Sequence, residues 1–179
     1  RYPKAIGDPW VALTAIALNT RRLKIGTMVT PIPRRRPQKL ARETVTLDHL
    51  SGGRLILGVG LGGIGHGEWD DLGDEGDLPT RGEMLDEGLD VLTGLWKAEP
   101  FSYSGKHYTI RDAAFEPAPC QKPRIPIWVA GVWPAKRPFR RAARWDGAFP
   151  GGNITAAELK EIAAYIEAKR QGPHPARYD

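Results

Sequence analysis

The run Leu55-Ile56-Leu57-Gly58-Val59 constrains the fold more than any other stretch of this chain. It is apolar at consecutive positions, without the polar alternation of a strand that turns one face to water. That pattern belongs to a strand covered on both faces inside a parallel sheet. Parallel neighbours need crossover connections, usually helices, so helices are expected before and after it. The preceding residues supply one. Pro37 suits a first helical position, Leu40, Thr44, Leu47 and Leu50 recur on one face, and Ser51-Gly52-Gly53 ends the helix as a glycine C-cap does. Upstream, Ile25, Met28 and Val29 mark a strand over residues 23–30, closed by the proline-rich stretch 31–37. Strand, helix and strand make one βαβ unit.

The rest of the chain repeats this alternation. Asp8-Pro9 reads as an N-cap followed by proline at the first helical position, opening a helix to about Asn19. Its buried stripe is expected to be Trp10, Leu13 and Ala17 beside Val11, Ala15 and Leu18. Thr80 and Glu83 have capping-box spacing, and Leu85, Leu89, Leu92 and Trp96 follow at helical steps. A hairpin is expected over 101–110, turning at Ser104-Gly105, then a strand over 125–130, a basic helix over 136–144 and a strand at 148–150. Thr155 and Glu158 form a second capping box, ahead of a helix with a core stripe of Leu159, Ile162, Ala163 and Ile166. The order predicts an α/β fold with a parallel sheet, in one domain over residues 1–179.

Composition narrows the function classes. The 179 residues are 41% hydrophobic and 26% charged, as in ordinary globular domains. Cys120 is the one cysteine, which excludes an internal disulfide and a cysteine-built metal site within one chain and fits a reducing, cytoplasmic setting. No apolar run approaches the roughly 20 residues of a membrane helix, so neither a membrane nor a metal is expected as a partner. A net charge of +5 serves an anionic small ligand as well as it serves nucleic acid. Prolines interrupt the region around Arg34-Arg35-Arg36 and no aromatic platform accompanies it, so nucleic-acid binding is not expected.

In parallel α/β architectures ligands bind beyond the C-terminal ends of the strands. The loops at 30–36, 60–79, 131–135 and 151–154 are therefore the candidates. Gly58, Gly60, Gly62 and Gly63 superficially match a dinucleotide fingerprint, but no helix opens directly after them. Gly60 and Gly62 instead suit close approach of a flat ligand, because glycine removes the side chain from the wall. Gly131, Val132 and Trp133, with Lys136 at a helix start, suit a phosphate held by free N–H groups. His66 and Glu68, in the long glycine- and acid-rich loop, are the candidate acid–base residues. His49 is expected to be structural, and Arg42 and Glu43 to be surface or inter-subunit charges.

Several motifs resemble the bacterial luciferase-like monooxygenase family. They are Ile25-Gly26-Thr27, Leu47-Asp48-His49-Leu50-Ser51-Gly52-Gly53-Arg54 and Gly58-Val59-Gly60, and the stretches 81–96, 101–108 and 126–131 are similar too. The resemblance implies a (β/α)8 TIM-type barrel with reduced FMN, or alternatively a deazaflavin coenzyme, at the C-terminal mouth. It implies oxidation of a small organic substrate by monooxygenase-type chemistry. It also maps a non-prolyl cis peptide, part of the flavin cradle with Thr27, onto Met28-Val29, and a phosphate loop onto Gly131, Val132 and Trp133. The arginine that some FMN members carry after the fourth strand is Leu61 here, which removes a phosphate contact from that loop. Such barrels need about 250 residues, so a chain with four strands is expected to be a partial barrel, lacking its start and end. The four would be the third to sixth strands. A half-barrel that binds flavin without catalysis, or that is only structural, is the alternative. Unpaired sheet edges and a bare inner face predict a homo-oligomer.

Overall fold

The computed structural model describes residues 7–63 and 69–170. Helix α1 (Pro9–Asn19) starts where Asp8 accepts the N–H groups of Trp10 and Val11, with proline in the first turn. Strands β1 (Ile25–Gly26) and β2 (Thr30–Pro31) lead into a 3₁₀ turn (Ile32–Arg34) and helix α2 (Pro37–Ser51). Gly52 closes α2 in the left-handed region at φ 64°, as its C-cap position requires. Strand β3 (Leu55–Gly60), helix α3 (Leu78–Leu95), the antiparallel pair β4 (Phe101–Ser104) and β5 (Thr109–Ala113), and strand β6 (Ile127–Val132) follow. Helix α4 (Lys136–Ala142), strand β7 (Gly147–Gly151) and helix α5 (Ala156–Lys169) complete the order.

The main sheet runs β1-β3-β6-β7 with β2 also on β3, and every pairing in it is parallel. This is the parallel sheet that the apolar run predicts, in the partial barrel that the resemblance implies. Leu55, Leu57 and Val59 of β3 and Ile127 and Val129 of β6 point into the helix layer and are essentially solvent-free. On the opposite, concave face Ile56, Trp128 and Phe149 are only half-buried. Among the described residues, β1 and β7 each pair on one side only.

The expected strand over 23–30 is two short pieces. Between them the Met28-Val29 peptide is cis, as the resemblance implies. Gly58 permits the break, because a Cβ there would collide with the Thr27 carbonyl oxygen. Where the backbone ladder lapses, the Thr27 hydroxyl donates to the Gly58 carbonyl at 2.9 Å, and the Thr30 hydroxyl donates to Thr27 Oγ1 at 2.8 Å. Both threonines are buried, so side chains satisfy an acceptor that would otherwise be orphaned.

Three local expectations are corrected. Helix α3 begins one turn earlier than Thr80, at Leu78-Pro79, because Asp77 is the cap and accepts both the N–H and the hydroxyl of Thr80. Helix α1 buries only Trp10 and Ala17, leaving Val11 and Leu18 exposed, and α5 buries Ile162 and Ile166 while Leu159 and Ala163 face out. In both helices the stripe read from the sequence is broader than the face that is buried. The Thr155–Glu158 capping box forms as its spacing predicts.

Candidate functional site

The C-terminal ends of β3, β6 and β7 and the link between β1 and β2 meet at one cavity of ≈ 390 Å³. Its wall is formed by Met28 and Val29 at the cis peptide, by the glycines 60, 62 and 63 after β3, and by Ala130, Gly131 and Val132 at the end of β6. Phe149 and Gly151 close the β7 side and Leu61, Leu78 and Pro138 complete an apolar rim. The sheet places them together because parallel strands end at one edge, and the register sets Gly131 beside Pro150 and Val132 beside Gly151. Among the described residues a Cβ on Gly63 would meet nothing within 4 Å, so this part of the wall is bare backbone. Apolar throughout and with bare backbone at its glycines, the cavity suits a planar ring system more than a charged one.

Six of the sequence-derived candidates therefore line one cavity: Met28, Val29, Gly60, Gly62, Gly131 and Val132. Thr27 lies just behind Met28, with its hydroxyl engaged by Gly58 and Thr30. Trp133 and Lys136 are not part of the cavity wall. The Trp133 ring meets Phe139 and Tyr165 edge-on at 5.6 and 6.2 Å between centroids, and the Lys136 ammonium lies 3.3 Å from its centroid. His66 and Glu68 lie outside the described residues. Among the described residues no group of three or more His, Cys, Asp or Glu side chains is arranged to hold a metal ion.

Sequence reasoning missed Arg81. It is 1% exposed, on the first turns of α3, and its guanidinium lies 3.8 Å from the centroid of the buried Trp69 ring. One nitrogen reaches the Gly62 carbonyl at 3.4 Å, while Nε has no hydrogen-bond partner. Burial pushes its pKa down and the acidic Glu75, Asp70 and Asp77 push it back up. Trp69 in turn donates to the Gly63 carbonyl at 2.7 Å and presses on Gly62, whose φ of 84° and missing Cβ make room for the ring. Arg81 and Trp69 thus brace the glycine wall from behind. The available signal was phase: residue 81 falls one helical repeat before Leu85 and Leu89, on the core stripe.

The motif at the end of α2 serves a different place. Asp48 is fully buried and accepts the N–H groups of Cys120 and Gln121 at 2.9 and 3.2 Å and the Gln121 side-chain amide at 2.7 Å. Arg54 donates to the carbonyls of Ala17, Thr20, Leu23 and Ser51. His49 Nε2 lies 2.8 Å from the Ala118 carbonyl, a structural contact as expected. Arg42 is a brace for this chain and not only a surface charge: it donates to the Glu116 carbonyl and covers the Phe115 ring at 4.0 Å. These residues precede β3 and so tie the strand-start end, opposite the cavity.

Comparison with known proteins agrees with this architecture. The luciferase-like monooxygenase family matches residues 1–179. An uncharacterized protein of Mycobacterium tuberculosis is 37% identical over 147 residues, covering 80% of this chain and 49% of its own length. An F420-dependent glucose-6-phosphate dehydrogenase of Microbacterium testaceum is 33% identical over 168 residues, covering 89% of this chain and 44% of its own. A crystal structure of a Streptomyces bottropensis monooxygenase superposes with a TM-score of 0.78 at 25% identity, over 90% of this chain and 49% of that one. The chain spans about half the length of these relatives. With the match across its full length, the parallel arc and the motif-bearing helix ends in place, this chain belongs to the luciferase-like monooxygenase family.

Proposed function

We propose that this chain forms the flavin-cradling part of an oxidoreductase that oxidises a small organic substrate with reduced FMN or a deazaflavin coenzyme. The observation that carries the reading is the ≈ 390 Å³ cavity, walled by backbone at glycines 60, 62 and 63 and bounded by the cis Met28-Val29 peptide. A flat tricyclic ring fits against such a wall, and the bare Cβ position of Gly63 leaves the space it needs. When bound, the cofactor would supply the redox chemistry. The chain's own part is to hold the ring between Met28-Val29 and Gly131-Val132 and to keep water from its faces with Leu61, Leu78 and Phe149. The turn at Gly131, Val132 and Trp133, with Lys136, is proposed to receive the cofactor's phosphate, and His66 and Glu68 to move protons at the substrate. The deazaflavin alternative is supported by the F420-dependent glucose-6-phosphate dehydrogenase relative, while Leu61 on the cavity wall leaves both cofactors open.

Titration of the chain with FMN and with a deazaflavin coenzyme, followed by cofactor fluorescence, tests the reading. Saturable binding of either supports it. Gly63→Leu should abolish binding without unfolding the protein, since its side chain would enter open space in the cavity. Binding of neither cofactor, or binding unchanged by Gly63→Leu, would refute it.

A further inference from the structure

Apart from the mouth cavity, the described surface holds a groove of ≈ 420 Å³ between the 3₁₀ turn before α2 and the turn of the β4–β5 hairpin. Arg34, Arg35 and Arg36 line one side, and His107 and Tyr108 the other. Among the described residues the one acidic residue on its wall is Asp74, which is paired with Arg34 at 2.7 Å. Arg35 and Arg36 have no charge partner among the described residues. Several other arginines are matched: Arg124 with Asp146, Arg141 with Asp86, and Arg144 with Asp86 and Asp90. Arg35 and Arg36 instead set two guanidiniums without an ion pair side by side in one concavity.

On the hairpin side of the groove His107 is paired with the Glu83 carboxylate at 2.9 Å. The Tyr108 hydroxyl is buried without a hydrogen-bond partner. Burial, with the nearby Glu87 carboxylate, pushes its pKa up to about 12, so it remains a neutral donor across the physiological range. Helix α2 opens at this groove with no side-chain cap and no acidic residue in its first turn, leaving its positive end uncompensated.

We propose that this groove is a second ligand site, for a phosphate-bearing small molecule whose phosphate is held by Arg35 and Arg36. A guanidinium presents paired N–H donors that match phosphate oxygens, which favours phosphate over a simple halide. The site is separate from the mouth cavity but joined to it. Arg34 lies 5.2 Å from the centroid of Trp69, and that ring packs on Gly62 of the cavity wall. A ligand that shifts Arg34 therefore acts on the residue bracing the cavity. The proposal does not depend on the flavin reading.

Isothermal titration of the whole chain with inorganic pyrophosphate tests it directly. One saturable site is expected, weakening as salt is raised. The double variant Arg35→Gln with Arg36→Gln should bind about ten- to a hundredfold more weakly, the range for losing hydrogen bonds to charged groups, with an unchanged thermal melt. Arg35→Lys with Arg36→Lys should retain part of the affinity, since the charge remains while the paired donors go. Absence of saturable binding at low salt, or equal binding by the glutamine variant, overturns the proposal. So does tighter binding of a short single-stranded oligonucleotide that the same variant abolishes, because the groove would then be part of a nucleic-acid surface.

Discussion

Asp48 Oδ2 accepts the backbone N–H of Cys120 at 2.9 Å, joining the end of α2 to a loop 72 residues further along the chain. The carboxylate is fully buried, and it also accepts from the Cys120 thiol and from the N–H and the side-chain amide of Gln121. Asp48→Ala would take the acceptor from all four donors. We expect a loss of about 3 kcal/mol, read as a lower urea midpoint with little change in slope.

The hydroxyl relay from Thr30 through Thr27 to the Gly58 carbonyl stands where the strand ladder is interrupted. Thr27→Val preserves shape and removes the donor. The orphaned carbonyl should cost about 1–3 kcal/mol. Thr27→Ser keeps the hydroxyl and should recover most of that stability in the same thermal melt.

Glu87 ties the hairpin to α3 by accepting the N–H groups of Lys106, His107 and Tyr108 at 2.8–3.1 Å. Burial alone would raise its pKa, but these backbone donors outweigh it and hold the carboxyl below its ordinary 4.5. A carboxylate whose folded pKa is depressed contributes its stability fully above the unfolded value and loses it as pH falls through the folded value. Amide exchange at residues 106–108 should therefore accelerate below about pH 4.5, and Glu87→Gln should remove that pH dependence.

Arg81 braces the cavity wall through a planar stack on Trp69. Arg81→Lys retains the charge and loses the flat face. A loss of about 1–2 kcal/mol is expected, together with weaker cofactor binding, since Gly62 and Gly63 lie against the same ring. Unchanged binding with unchanged stability would show that the stack does not position the wall.

The concave face of the sheet leaves Ile56, Trp128 and Phe149 half-exposed around a second apolar cavity of ≈ 150 Å³. Exposed apolar area forfeits about 25 cal/mol per Å², against a typical domain margin of about 5–15 kcal/mol. Sedimentation of this chain alone is expected to give a dimer or larger species. A cooperative, soluble monomer of 19.7 kDa would contradict that expectation.

What the sequence by itself determined is the part governed by neighbours along the chain. The apolar run of β3, the Asp8-Pro9 and Thr155–Glu158 helix starts and the Gly52 stop follow from local backbone and side-chain preferences, and all form as read. The glycines of the mouth were legible too, because strand ends in a parallel sheet converge wherever the strands themselves are placed. The motif 47–54 carried the family but not its use: whether Asp48 and Arg54 met a ligand or a distant loop depended on which segment docked beside them, and that was Cys120–Gln121 and α1. Only the tertiary structure decided that Arg81 is buried on Trp69, and that Arg35 and Arg36 line a groove whose Asp74 is already paired with Arg34. A charged side chain carries the same pattern in sequence whether it is solvated or buried. Its environment is set by long-range packing, and here that packing also decided which apolar residues of α1 and α5 are buried and which face out.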